Sequence, residues 1–285
     1  MNLDRNNKKE TPVHKPASYL ALITLLGSTC VASVAAANEL LTKKTESGTI
    51  VGYQDTPLLP ATGDKYHVHD VDRPIPTQVT PGAPSESGRP PSDAIVLFDG
   101  KDLSKWHDAS WKTADGSVEA GDGSLETKEA FGDCQLHVEW MAPTTPPVRM
   151  MARGNSGVIL MGLYEIQIFD SHASNAEQIY PDGQAASIYG QTPPLVNVCR
   201  APGEWQSFDI LFTAPVFEGD KLIRRATVTM LHNRVMVHLN QEIMGPMAHC
   251  QVVPYQAHPA KLPLVLQGHS SPVRFRNVWI RPLDR

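Results

Sequence analysis

From residue 94 onward, apolar and polar side chains alternate along the chain in short runs. Between Cys134 and Met141, Leu136, Val138 and Trp140 share one face, while Gln135, His137 and Glu139 share the other. A period of two marks a strand with one buried face. Tyr164–Ile168 repeats it, setting Tyr164, Ile166 and Ile168 against Glu165 and Gln167. In residues 207–212, Phe208, Ile210 and Phe212 oppose Ser207 and Asp209. Residues 227–231 and 235–239 flank His232-Asn233-Arg234 and predict a hairpin with a tight turn. Residues 262–267 and 273–280 predict two more strands, and only residues 175–179 suggest a helix. Short strands punctuated by Gly and Pro over about 190 residues predict an all-β, antiparallel two-sheet jelly-roll sandwich with a concave outer face.

Two segments ahead of the sandwich break this pattern. Residues 1–37 pass from a basic stretch (Arg5, Lys8, Lys9, Lys15) through an apolar run, Tyr19 to Val34, to Ala35-Ala36-Ala37. That order predicts a secretory signal peptide cleaved near Ala37/Asn38, and hence a periplasmic or secreted protein. The apolar run is short for a bilayer and is interrupted by Gly27, Ser28 and Thr29, so no stable membrane span is expected after cleavage. Residues 38–93 carry prolines at 57, 60, 74, 76, 81, 84, 90 and 91 with no sustained period. They read as an extended Pro-rich arm or linker before a sandwich domain at 94–285. Within the arm, His67-Val68-His69-Asp70 gathers two histidines and a carboxylate. Its spacing matches no strong metal signature, and a hydrogen-bonded arm crossing the domain surface is the favoured reading.

Charge narrows the partners. Without residues 1–37 the chain keeps 21 Lys and Arg against 28 Asp and Glu, a net of −7. No basic cluster exists to hold a polyanion, so nucleic acid is excluded as a partner. Three cysteines remain, Cys134, Cys199 and Cys250, and an odd number allows at most one internal disulfide.

The segment with candidate chemistry is Gly154-Asn155-Ser156-Gly157 followed by the strand at Tyr164. Glu165 and Gln167, opposite the apolar face, must point at solvent or a cleft. A one-residue β-bulge after Gln167 would bring Asp170 into the same row. E-x-Q-x-x-D would then present two carboxylates with an amide between them, as chemistry on a glycosidic bond requires. The plain alternative is a solvated strand face. The spacing resembles the E-x-D-x-x-E strand of laminarinase- and lichenase-type glucanases of the concanavalin-like fold. Gln167 replaces their middle Asp and Asp170 their last Glu, which weighs against an unmodified retaining β-glucanase.

A broader resemblance covers nearly all of residues 94–283. Leu97-Phe98-Asp99-Gly100-Lys101-Asp102-Leu103 through Trp106 resembles the opening of the 3-keto-disaccharide hydrolase domain family, also described as 3-keto-glucoside lyase/hydratase domains. Gly154-Asn155-Ser156-Gly157, Tyr164-Glu165-Ile166-Gln167 with Asp170-Ser171, Ile188-Tyr189-Gly190-Gln191 and Pro202-Gly203-Glu204-Trp205-Gln206 are similar to the same family. So are Leu264-Val265-Leu266-Gln267-Gly268-His269 and Pro272-Val273-Arg274-Phe275-Arg276-Asn277-Val278-Trp279.

The resemblance implies a concanavalin-like sandwich acting on a small carbohydrate already oxidised at C3. The ketone acidifies the C2 hydrogen, so the enzyme needs a base there, donors facing the enolate oxygen, and an acid for the departing C1 oxygen. Elimination followed by hydration gives net hydrolysis to 3-keto-glucose. On this reading Glu165 is the base, Asp170 the acid, and His269 a ligand or proton-transfer group. Arg153, Asn155, Gln167, Gln191 and Gln267 would bind substrate. A divalent metal ion holding the enolate is the one cofactor implied, with Glu165, Asp170 and His269 as its candidate ligands. Tyr164 and Trp205 are expected to serve the core, Arg274 and Arg276 to pair with surface acids, and His232 and His238 to have no chemical role. A non-catalytic carbohydrate-binding module is the alternative, ahead of the β-glucanase.

Overall fold

The computed structural model describes residues 38–46, 48–83, 89–107, 110–145 and 150–283; the expected signal peptide, 1–37, lies outside them. Two antiparallel sheets carry the fold. The larger runs, in hydrogen-bonded order, Val235–Glu242, Thr227–His232, Trp205–Thr213, Cys134–Met141, Arg274–Pro282, Ser117–Glu119, Lys112–Ala114. Ile95–Phe98 also pairs with Arg274–Pro282. The smaller is Tyr164–Ile168, Ser156–Leu160, Leu262–Leu266, Leu125–Phe131. This is the all-β sandwich that the alternation predicts. Among the described residues no helix is long and apolar enough to cross a membrane.

The layering follows from the period of two. Leu136, Val138, Trp140, Phe208 and Ile210 of the larger sheet join Val158, Leu160, Tyr164, Ile166 and Ile168 of the smaller in one core, each at most 2 % exposed. Burying side chains of this size stabilises by about 1.5–3 kcal/mol each. It also fixes register, because a slip of one residue would drive Glu165 and Gln167 into the core. The expected hairpin closes through Asn233 and Arg234, at φ 50° and 68°. Two positive φ values in a two-residue loop make a type I′ turn, whose twist matches that of the strands. Trp205 does not join the core but lies on the outward face, under the Arg276 guanidinium at 4.1 Å.

Residues 38–83 build structure of their own. Leu41–Thr45 and Gly48–Gly52 form a hairpin, and Glu177–Ile179 adds to it in parallel beside Gly48–Gly52. The helix suggested at 175–179 is therefore a strand, its backbone groups satisfied by the ladder. Thr77–Gln78 pairs with Val196–Asn197, and Val68, His69 and Val71 are buried. The residues from Asn38 onward cluster as one compact unit. Cys134, Cys199 and Cys250 are all buried and free, so no disulfide joins them.

The outward face of the larger sheet carries an ionic network rather than a site. His137 Nδ1 lies 2.6 Å from Asp209 Oδ1 and its Nε2 3.5 Å from Glu139 Oε1. Arg276 Nε donates to Glu139 Oε2 at 2.6 Å and Asn277 Nδ2 to Oε1 at 2.8 Å. Burial opposes charge on His137, but the hydrogen bonds from Asp209 and Glu139 outweigh it and raise the imidazole to about 9. For Glu139 burial is likewise outweighed, by His137, Asn277 and Arg276, and the carboxyl falls to about 2. A raised folded-state pKa stabilises fully below the ordinary value of 6.5, and that stability is lost as pH climbs to about 9. His137→Gln should therefore cost on the order of 2 kcal/mol at pH 6 and little at pH 10. Urea denaturation of both proteins at the two pH values checks this; an equal cost at each would refute it.

Candidate active site

Tyr164–Ile168 forms one edge of the smaller sheet, paired with Ser156–Leu160 so that Glu165 stands opposite Ile159 and Gln167 opposite Gly157. Residues 186–189 close its other side: Gln167 N donates to Ser187 O at 2.9 Å and Tyr189 N to Glu165 O at 3.0 Å. Held on both flanks, the strand projects Glu165 and Gln167 away from the core into a cleft of about 530 Å³. Tyr53, Tyr180, Tyr189, His249, Gln267 and His269 help to line it, together with Asn155 and two methionines.

Glu165 is 4 % exposed. It fits because residue 157 is glycine: a Cβ there would lie 3.0 Å from Glu165 Cδ and closer still to Oε1. The Gln167 amide, with its nitrogen turned to the carboxyl, donates to Glu165 Oε1 at 3.2 Å and to Ser156 O at 3.0 Å. Burial pushes the Glu165 carboxyl up to about 8, and no charge among the described residues counters it. The group therefore gains or loses its proton close to neutral pH.

One wall of the cleft rests on a second polar cluster. His69, fully buried, stacks on Tyr180 with ring centroids 3.9 Å apart. Its Nδ1 lies 3.3 Å from Asp182 Oδ1, and its backbone N donates to Asp182 Oδ2 at 3.0 Å. Burial would raise the Asp182 carboxyl, but His69 and Arg73 hold it below the usual range. The Tyr189 hydroxyl lies 3.2 Å from that of Tyr180 and 3.0 Å from His249 Nδ1. Burial first, then the neighbouring His69 and His269, lowers the His249 imidazole.

Of the residues marked in the sequence, Glu165, Gln167, Asn155, Gln267 and His269 meet in this cleft. Asp170, Arg153 and Gln191 do not line it. The strand ladder continues to Ile168 without a bulge, and Asp170 folds into the following loop. There it accepts from Asn175 Nδ2 at 3.0 Å and from His172 N at 3.2 Å, with Arg153 Nε at 3.5 Å. Arg153 in turn donates to the Asp170 and Glu177 carbonyls, so this pair clamps a loop. Gln191 bridges Met244 N and Gly245 O. The set Glu165, Asp170 and His269 consequently does not fit a metal ion, because Asp170 is committed elsewhere.

Tyr53, Tyr180, Tyr189 and His249 were not legible as site residues. Tyr189 sits inside Ile188-Tyr189-Gly190-Gln191, a segment in which the sequence points to Gln191 instead. His67-Val68-His69-Asp70 divides: His67 Nδ1 pairs with the Thr56 carbonyl, Asp70 accepts from His67 N and Asp72 N, and His69 turns inward to Asp182. His232 and His238 are buried and bonded to Gln206 Oε1 and Ala186 O, lowered by burial to about 3 and about 4. Arg276 pairs with Glu139, and Tyr164 is core, as expected.

Fold and cleft define a β-sandwich protein with a polar and aromatic cleft built around one buried carboxyl group. The chain belongs to the 3-keto-alpha-glucoside-1,2-lyase-like domain family, whose model matches residues 93–281. It is similar to a crystal structure of a candidate glycosyl hydrolase from Parabacteroides distasonis ATCC 8503, at 40% identity and TM-score 0.63, over 74% of this chain and 93% of that one. A second candidate glycosyl hydrolase from the same organism shares the fold at 24% identity and TM-score 0.52, over 67% of this chain and 99% of that one. Comparison with curated proteins gives no match.

The Gly157 cradle makes a direct prediction. Gly157→Ala should destabilise by about 1–3 kcal/mol, because Glu165 must move from a packed position. Gly82→Ala, where nothing lies within 4 Å among the described residues, should leave the melting temperature unchanged. Thermal denaturation compares the two; equal melting temperatures would remove the cradle.

Proposed function

We propose that the protein cleaves 3-keto-glycosides by elimination across C1–C2 and rehydration of the product, with Glu165 as the base. The observation that carries this reading is a single buried carboxyl group in a polar and aromatic cleft, where burial pushes it up to about 8. A retaining β-glucanase needs two carboxyl groups about 5–5.5 Å apart, and Glu165 is the one carboxylate among the described residues lining the cleft. Abstraction of a proton next to a ketone needs one base and a set of donors, which matches the lining better. Family membership and the candidate glycosyl hydrolase relative support action on a glycosidic bond.

Glu165, once ionised, takes the C2 proton, and the C–H electron pair moves toward the C3 oxygen. Gln167 positions the carboxyl through its amide, while Asn155 and Gln267 offer donors to sugar hydroxyls. The C1–O bond then breaks, the enolate electrons forming the C1–C2 double bond, and His269 protonates the departing oxygen. Water adds back, oxygen to C1 and hydrogen to C2, to give 3-keto-glucose. A base whose pKa lies near the working pH is both ionised often enough and basic enough to act. The order of residues 1–37 supports export, so the reaction is assigned outside the cytoplasm.

The purified protein should release the aglycone from a chromogenic 3-keto-glucoside and leave the unoxidised glucoside intact. Glu165→Gln should lower kcat by about 10²–10⁴-fold. Because Glu165 must be ionised and His269 protonated, kcat/KM should pass through a maximum with pH, and the residual activity of His269→Gln should rise and level off above about 8. Equal cleavage of the unoxidised glucoside, or full activity in Glu165→Gln, would overturn the proposal.

A further inference from the structure

Three side chains in and behind the cleft wall have no role in this chemistry, yet converge. One ring nitrogen of His69, one of His249 and Cys250 Sγ all lie within 4.8 Å of one another. The His249 Nε2 to Cys250 Sγ distance is 3.2 Å, and the His69 and His249 ring centroids are 5.3 Å apart. His69 Nδ1 is committed to Asp182, so Nε2 is its free nitrogen. That atom is buried and has no hydrogen-bond partner among the described residues. An unmade bond on a buried polar atom costs about 1–3 kcal/mol, a cost that an electrophile bound there would remove.

Backbone and surroundings agree. His69 and Cys250 both adopt the left-handed region, at φ 59° and 56°, a conformation that is uncommon for such residues and clusters at functional sites. In extended backbone consecutive side chains point to opposite sides; the left-handed turn at Cys250 lets it face the same centre as His249. Each histidine is also braced at its other nitrogen, His69 by Asp182 and His249 by the Tyr189 hydroxyl. Histidines that bind metals are oriented by such partners. Burial raises the Cys250 thiol above its ordinary value, so it is no activated nucleophile; a bound cation would draw off its proton.

We propose that His69 Nε2, His249 Nε2 and Cys250 Sγ bind a zinc-class divalent metal ion in the cleft wall. Two imidazoles and one thiolate suit such an ion, and three protein ligands leave one tetrahedral position open. The site is inferred from geometry alone and does not depend on the reaction proposed above.

The test is titration of chelator-stripped full-length protein with Co2+, a coloured stand-in for Zn2+. One Co2+ should bind per chain, with a sulfur-to-cobalt charge-transfer absorption that added Zn2+ abolishes. Cys250→Ser should remove that absorption while the circular dichroism spectrum stays unchanged. His249→Ala, at an exposed position, should weaken binding at least tenfold, and Asp182→Asn about 10–100-fold. Absence of stoichiometric Co2+ binding would overturn the proposal, as would a charge-transfer band that survives Cys250→Ser. Neither readout requires turnover, so this site and the proposed reaction can fail separately.

Discussion

Placing a carboxyl group in a water-poor cavity without a cation is so costly that the group keeps its proton to unusually high pH. Glu165 is held in that situation by three features of the fold. Its strand is locked on both edges, the alternation forces it off the core face, and Gly157 gives it a place to lie. Gln167 matters in the same way. An aspartate at that position would add a second negative charge beside the first, whereas an amide donates a neutral hydrogen bond. With glutamine rather than a carboxylate at 167, Glu165 keeps no second negative charge beside it on this strand.

The proline-rich segment takes part in this arrangement. It contributes Tyr53 to the cleft lining and buries His69 beneath Tyr180. Four of its prolines, 57, 60, 74 and 76, which have no N–H to give a sheet ladder, fall between two short pairings: the 41–52 hairpin and the two-residue ladder at Thr77–Gln78. The lining of the cleft is therefore set by residues before the family match begins at residue 93 as well as by the sandwich. The aromatic lining gives apolar faces with polar edges.

Much of the sandwich was legible in the sequence because side-chain burial enforces the period of two. The same alternation placed Glu165 and Gln167 on the open face. It failed at Asp170, because the bulge was an assumption about backbone, and Arg153 with Asn175 captures the aspartate once the ladder stops. It failed again at 175–179, where the pairing partner is more than 120 residues away and no local pattern announces it. Tyr53, His69 and His249 come from three separated segments. Their convergence is a product of topology, and spacing along one strand carries no trace of it.

Direct titration of the Glu165 side chain tests the central claim. With the glutamates labelled at the carboxyl carbon, the signal that disappears in Glu165→Gln can be followed by carbon NMR as pH is varied. The account predicts a midpoint at about 8. A midpoint near the ordinary value of 4.5 would show a solvated or ion-paired carboxylate, and the buried base would be contradicted.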